Sequence, residues 1–181
     1  MTIGDSIMRG WGLFDVQAWP ALLAAGAPWH LVNLACDGAG FVTMGDGCDT
    51  NFMGLIPQAV AAKPTAVVIQ SSSNDMGQSD AAIEEATQQT MAALRAALPH
   101  ATVVALSTVW NADTTWPHEI TSSSAAIERA ASHQQAYYVD LGQPLAGHPE
   151  WMQPDGVHPT ADGQQAIADA VHREIAPHVA P

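Results

Sequence analysis

Apolar residues in this chain fall into short unbroken runs separated by longer, periodic stretches. Residues 66–70 (AVVIQ) follow Lys63-Pro64 and run into Ser71-Ser72-Ser73-Asn74. Residues 102–106 (TVVAL) follow Pro99 in the same way, and residues 29–34 and 137–140 have the same character. With Thr2-Ile3 these make five expected strands. Their apolar positions are continuous rather than alternating, the pattern of parallel strands buried on both faces. Between them the period becomes helical. Residues 80–98 carry Ile83, Thr87, Met91, Leu94 and Leu98 on one stripe. Ser79 or Asp80 can cap this helix, Glu84 and Glu85 lie in its first turns, and Pro99 stops it. A last helix is expected after Thr160, with Ile167, Val171 and Ile175 on its apolar face and Pro177 ending it. Shorter helical patterns cover residues 16–25, 52–62 and 123–132. Strand and helix alternate with no strand-only block, which predicts an α/β sheet in three layers. No internal repeat or linker interrupts the pattern, so residues 1–181 are expected to form a single domain, read as a monomer.

Composition changes that picture mainly by excluding partners. The chain is 48% hydrophobic and 13% charged, which is the balance of a folded core rather than of disorder. No apolar run approaches the roughly 18 residues of a membrane span. The net charge is -13 with five Lys and Arg, a field that repels a phosphate backbone and an anionic membrane surface alike. Nucleic acid is therefore not an expected partner, and the ligand is expected to be neutral or held at a small local site. Eight histidines raise a metal reading, but none has an i+4 or Cys partner at a zinc spacing. Most read as surface or capping residues, His172 in a last helical turn among them. Asp46, Asp49 and Asn51 lack the full calcium-loop pattern. Neither a metal nor a cofactor is expected.

In such sheets ligands bind beyond the carboxyl ends of the strands. After the first expected strand stands Gly4-Asp5-Ser6, and after the second the small-residue run from Asn33 through Gly38 to Gly40. Ser72-Ser73-Asn74-Asp75 follows the third, and Asp155-Gly156-Val157-His158 precedes the last helix. Together these supply the parts of acyl transfer. A serine hydroxyl needs a base to take its proton, a role for His158 acting on Ser6. The base needs a carboxylate to hold its tautomer and stabilise the imidazolium, and Asp155 lies three residues back. The oxyanion needs preorganised donors, which the Ser6 amide, a Gly38 amide and the Asn74 side chain can supply. Each motif alone is weak: Gly-Asp-Ser arises by chance in roughly one chain of this length in twenty. Four blocks, each beside an expected element, are much harder to obtain by chance. Ser71-Ser72-Ser73 is the weaker nucleophile candidate, because it reads as a strand terminator.

These blocks, in this order and over nearly the whole chain, resemble the SGNH hydrolases, also called GDSL esterases and lipases. Gly4-Asp5-Ser6 is similar to their first block, Gly38 to the glycine of the second, Asn74-Asp75 to the end of the Gly-X-Asn-Asp third, and Asp155 to His158 to the fifth. The resemblance implies a flavodoxin-like sheet of five strands in the order 2-1-3-4-5. It also implies a Ser6, His158 and Asp155 triad, with Ser6, Gly38 and Asn74 forming the oxyanion hole. One position departs: Ser72 stands where the third block has glycine, beside the oxyanion asparagine.

The function expected is a serine esterase working through an acyl-Ser6 intermediate on short acyl, above all acetyl, esters of carbohydrates. No long lid is evident, and Trp11, Trp110 and Trp116 in strand-end loops can either wall a sugar or acyl pocket or serve as packing. An O-acyltransferase using the same residues is the alternative. A phospho-receiver signalling module of the same strand order is disfavoured, because its lysine after the fifth strand is missing and Lys63 precedes the third. Cys36 and Cys48 read as either two free thiols or a disulfide; a bridge would contribute roughly 3 kcal/mol and imply an oxidising compartment. Only Met1, Thr2 and Ile3 precede the first block, short for a central strand, which raises the expectation of a longer chain with an export signal and an extracellular location.

Overall fold

The computed structural model describes residues 1–175. The expected helix stop at Pro177, and His178, lie outside the described residues. Four strands, β1 (Thr2–Ile3), β2 (Ala66–Gln70), β3 (Thr102–Leu106) and β4 (Tyr137–Val139), form one parallel sheet in the order β1-β2-β3-β4. Among the described residues six α-helices accompany them: α1 (Ser6–Arg9), α2 (Trp19–Ala25), α3 (Ile56–Ala62), α4 (Asp80–Ala97), α5 (His118–His133) and α6 (Ala161–Ile175).

Side chains of successive strand residues point to opposite faces, so each buried strand feeds two cores. Val67 and Ile69 of β2, with Val103 and Ala105 of β3, pack against residues of α3, α4 and α5. Val68, Val104 and Leu106 pack on the other side with Trp19 of α2 and Ile167 and Val171 of α6. Helices on both faces explain why the strands read as unbroken apolar runs. The Ser79 hydroxyl accepts from the Ala82 amide at 3.2 Å and starts α4 where the capping pattern places it.

Five strands are expected from the sequence; among the described residues there are four. Residues 29–34 run beside β1 but make only one parallel bridge, Thr2 to Asn33. Their neighbour is two residues long. The Thr2 amide donates to Val32, and the amides of Leu34 and Cys36 donate to Thr2 and Gly4. So short a partner cannot register a longer ladder, and the apolar run remains an edge segment. The segment is tied instead by Asn33, whose side-chain Oδ1 accepts from the Thr2 hydroxyl and the Ala35 amide. Two further differences are local. Helix α5 begins at His118, five residues before the apolar stripe at 123 signals it, and α1 is a single turn with no periodic signature.

All four strands end at one edge. Gly4, Ser71, Ser107 and Asp140 follow them there, and the chemistry-bearing loops gather above that edge.

Candidate active site

The Ser6 turn is assembled from a cap. Asp5 is the N-cap of α1: one carboxylate oxygen accepts from the Ile7 amide at 2.9 Å, and Ser6 follows as the first helical residue. Gly4 packs against Met8: a Cβ there would stand 2.6 Å from its sulfur, so a larger residue would have to displace that buried side chain. Gly10 closes the turn in the left-handed region at φ +78, and its amide satisfies the Ser6 and Ile7 carbonyls. Asp5 and Ser6 are both buried. Burial pushes the Asp5 carboxyl above its ordinary range, against the opposing pull of the Ser72 hydroxyl and the Ile7 and Met8 amides.

Ser6 Oγ lies 3.0 Å from Nε2 of His158. The other ring nitrogen, Nδ1, lies 2.7 Å from Asp155 Oδ2. Asp155 Oδ1 accepts from the Val157 and His158 amides, each at 3.0 Å, so a tight turn sets the carboxylate beneath the ring. Burial opposes the Asp155 charge, but the His158 amide, the His158 ring and the Val157 amide outweigh it and hold the carboxyl at about 2. It is a carboxylate at any ordinary pH.

Gly38 lies in the loop beyond residues 29–34, in the left-handed region at φ +75 that favours glycine. Around it the loop is pinned three ways. A disulfide joins Cys36 to Cys48, resolving the choice left open by their spacing. Arg9 of α1 forms a two-pronged ion pair with Asp37, immediately before Gly38. The Asp46 amide donates to the Asp37 carbonyl. Asn74 Nδ2 donates to the Ala39 carbonyl at 3.1 Å, which brings the carboxamide to the same loop. Asp75, fully buried, accepts from the amides of Phe41, Val42 and Thr43 at 2.7 to 3.0 Å. Gly40 makes room for that carboxylate, because a Cβ there would overlap it.

Ser72 is not a bystander in the glycine position. Its hydroxyl donates to Asp5 Oδ2 at 2.5 Å and accepts from the Asn74 amide at 3.0 Å. One side chain thus joins the Ser6 turn to the Asn74 turn. Sequence reasoning names Asp75 and Ser72 without these roles, and misses Arg9 and Gln153 altogether. Arg9 offered no signal, since α1 has no periodic signature and nothing marked Asp37 as its partner.

The remaining candidates separate by place. Trp11 lies at the site, stacked on His158, and is 41% exposed; Trp116 is similarly exposed at 43% in the loop after β3. Trp110 is bound through its amide to Gln143. Lys63 caps α3 beside the start of β2, at the opposite edge of the sheet. A cavity of about 630 Å³ opens at that opposite edge, lined by Met1, Trp29, Lys63 and Thr102 among others, and it contains none of the Ser6 chemistry. Asn51 is committed to capping a 3₁₀ turn at residues 52–55. Among the described residues no group of three or more His, Cys, Asp or Glu side chains is arranged to hold a metal ion, and no helix is long and apolar enough to cross a membrane.

A family model described as GDSL-like Lipase/Acylhydrolase matches residues 2–166, nearly the whole chain. The chain belongs to that family. Membership makes it a carboxylic ester hydrolase. No curated protein is similar to it in sequence. Among solved structures it is similar to TesA, at 25% identity and a TM-score of 0.78, with 98% of each chain covered. It shares its fold with the psychrotrophic esterase EstA from Pseudoalteromonas sp., at 19% identity and a TM-score of 0.73 over 97% of each chain. A family two carbohydrate esterase from Clostridium thermocellum, solved in complex with cellohexaose, aligns at 18% identity and a TM-score of 0.77, covering 97% of this chain and 62% of that one.

Proposed function

We propose that this GDSL-family hydrolase cleaves esters through a Ser6, His158 and Asp155 triad and a covalent acyl-Ser6 intermediate. The observation that carries the reading is the unbroken chain of short contacts, 3.0 Å from Ser6 Oγ to His158 Nε2 and 2.7 Å from Nδ1 to Asp155. Ser6 Oγ attacks the ester carbonyl as Nε2 takes its proton. The tetrahedral oxyanion is met by the Ser6 and Gly38 amides and by Asn74. An asparagine carboxamide has two donor hydrogens. One is held by the Ala39 carbonyl, which orients the group and leaves the other for the oxyanion. His158 then returns the proton to the leaving alcohol. Water attacks the acyl-Ser6 as Nε2 takes its proton, and when the tetrahedral adduct collapses Nε2 returns that proton to Ser6 Oγ and the carboxylic acid departs. Asp155 holds the Nδ1 proton throughout and stabilises the imidazolium.

The substrate class we propose is short-chain acyl, chiefly acetyl, esters of carbohydrates. The exposed indoles of Trp11 and Trp116 beside the Ser6 edge supply flat apolar faces of the kind sugars stack on. The fold shared with a carbohydrate esterase supports the same choice. The Cys36–Cys48 disulfide supports an oxidising compartment. We read residues 1–181 as one domain carrying this activity. The test is Ser6→Ala assayed on p-nitrophenyl acetate and on acetylated xylan. Turnover falls by about 10⁶ while the melting temperature is kept; retained activity in a clean preparation overturns the triad, and absent acetyl release from the wild type on xylan overturns the substrate class alone.

A further inference from the structure

The segment that carries the proposed base has little core to hold it. Asp155, Gly156 and Val157 are exposed, and the loop reaches the rest of the molecule through few side chains. Two of these, Trp11 and Gln153, lie 142 residues apart in the chain and meet at His158. The Trp11 indole stacks on the His158 ring, centroids 4.4 Å apart and planes at 25°. Its backbone bridges both halves of the site. The Trp11 amide donates to the Ser6 carbonyl at 3.0 Å, and its carbonyl accepts from Gln153 Nε2 at 2.8 Å. The same Gln153 nitrogen donates to the Pro159 carbonyl at 2.9 Å, and the Gln153 amide donates to the His158 carbonyl at 2.8 Å. Gly12 permits the approach: it sits at φ +77, and a Cβ there would come within 2.6 Å of Gln153 Oε1.

We infer that Trp11 and Gln153 form a latch that positions the His158 ring against Ser6, and that the Trp11 indole stabilises that ring when it becomes positively charged. The inference rests on the triad reading. Gln153 fixes the backbone register between the Ser6 turn and the His158 loop, and the indole covers one face of the imidazole. An aromatic face attracts a cation through its quadrupole, most strongly where water is partly excluded. That attraction is gained as His158 takes the Ser6 proton, so it lowers the barrier rather than only tightening the ground state. The ionisable groups facing the ring are Asp155 on its own loop and Asp5 beneath the Ser6 turn. Both are unchanged in the variants below. Trp11 and Gln153 touch no reacting atom and act through His158; p-nitrophenyl acetate carries no sugar, so stacking of a sugar on the outer face of Trp11 does not enter the assay below.

The test compares W11F, W11L, Q153A and the double variant W11L/Q153A with wild type and S6A, using p-nitrophenyl acetate from pH 5 to 9 and thermal melts. Phe and Leu both cover the ring, but only Phe keeps a π face. W11L is expected to lose about tenfold or more in kcat with KM within about twofold. Its acid limb in kcat/KM should lie about half a pH unit below that of W11F, because a less stabilised imidazolium releases its proton sooner. Q153A should lower kcat as well, and the double variant should lose less than the product of the two single losses, since both act on one ring. Wild-type kcat in W11L, a rise in KM alone, or equal acid limbs in W11F and W11L would each overturn the latch. Losses that track only the melting temperature would do the same. S6A separates the two ideas: an active S6A defeats the triad, whereas a dead S6A beside an unaffected W11L defeats the latch and leaves the triad standing.

Discussion

Ser6 and His158 are 3.0 Å apart in space and 152 residues apart in sequence, and the protein holds them by different means. The Ser6 turn is part of the core. Asp5, Ser6, Ser72 and Asp75 are buried, and Asp5, Ser72 and Asp75 are held by hydrogen bonds to neighbours within the core. The His158 loop lies over the edge of the sheet, exposed along residues 154–157 and fastened by Asp155, Gln153 and the face of Trp11. The difference teaches that the proposed nucleophile and the proposed base need not share a fate. Disturbing the buried groups around the first, Asp5, Ser72 or Asp75, should damage fold and activity together, because buried polar groups would lose their partners, whereas the Ser6 hydroxyl bonds only His158 and its removal spares the fold. Disturbing the second should damage activity with little effect on the fold, since few core contacts depend on it.

The sharpest way to break that comparison is Asp155→Asn. Loss of the carboxylate removes the group that holds the tautomer, and kcat should fall about 10⁴-fold. The melting temperature at pH 7 should stay within a few degrees, as measured by circular dichroism. A collapse of the fold would mean that the loop is as integral as the Ser6 turn. Asp75→Asn tests the other side. It replaces an oxygen that accepts from the amides of residues 41–43 with a donor that opposes them. Urea unfolding should register a loss of about 3 kcal/mol or more, with activity falling alongside; an unchanged midpoint would deny the buried turn its structural role.

The paired change Cys36→Ser and Cys48→Ser opens the loop around Gly38. Stability should drop by roughly 3 kcal/mol, and kcat should fall by less than in Asp155→Asn, because Arg9 and Asp46 still hold Asp37. The smallest effect expected is in pH. Asp155 is held at about 2 against an ordinary 3.8, so its folded state binds a proton less readily than its unfolded state. Its stabilising contribution is therefore present above about pH 4 and disappears as pH falls toward 2. Because the side chain is one-third exposed, solvent screens the effect. The gap between the urea midpoints of wild type and Asp155→Asn should hold above about pH 4 and close as pH falls from 4 toward 2; a gap constant across that range would remove the carboxylate from the loop's stability.

Much of the fold was legible in the chain because its causes are local. The runs at β2 and β3 and the stripe of α4 are set by period, and their ends by Ser79, Pro64 and Pro99. Residues 29–34 were not legible, since their apolar character is that of a strand and only the two-residue length of β1 denies them a ladder. The candidate site divides in the same way. Ser6, Gly38, Asn74, Asp155 and His158 stand out by type and by place beside expected elements, and the structure sets Ser6, His158 and Asp155 in hydrogen-bonding reach. Ser72 looked like a defect in a glycine position. It proves to be the tie between Asp5 and Asn74, a relation across 67 residues that no spacing rule contains.

By itself the amino-acid sequence determined the α/β alternation, the hydroxyl, imidazole and carboxylate available to one sheet edge, and the net charge of -13. Those follow from backbone period, side-chain chemistry and summed charge, all readable without a partner residue. The tertiary structure decided the rest: that Cys36 meets Cys48, that Arg9 holds Asp37, and that Trp11 and Gln153 close on His158. Each is a contact between segments brought together only by packing on the sheet, and its geometry depends on both partners at once.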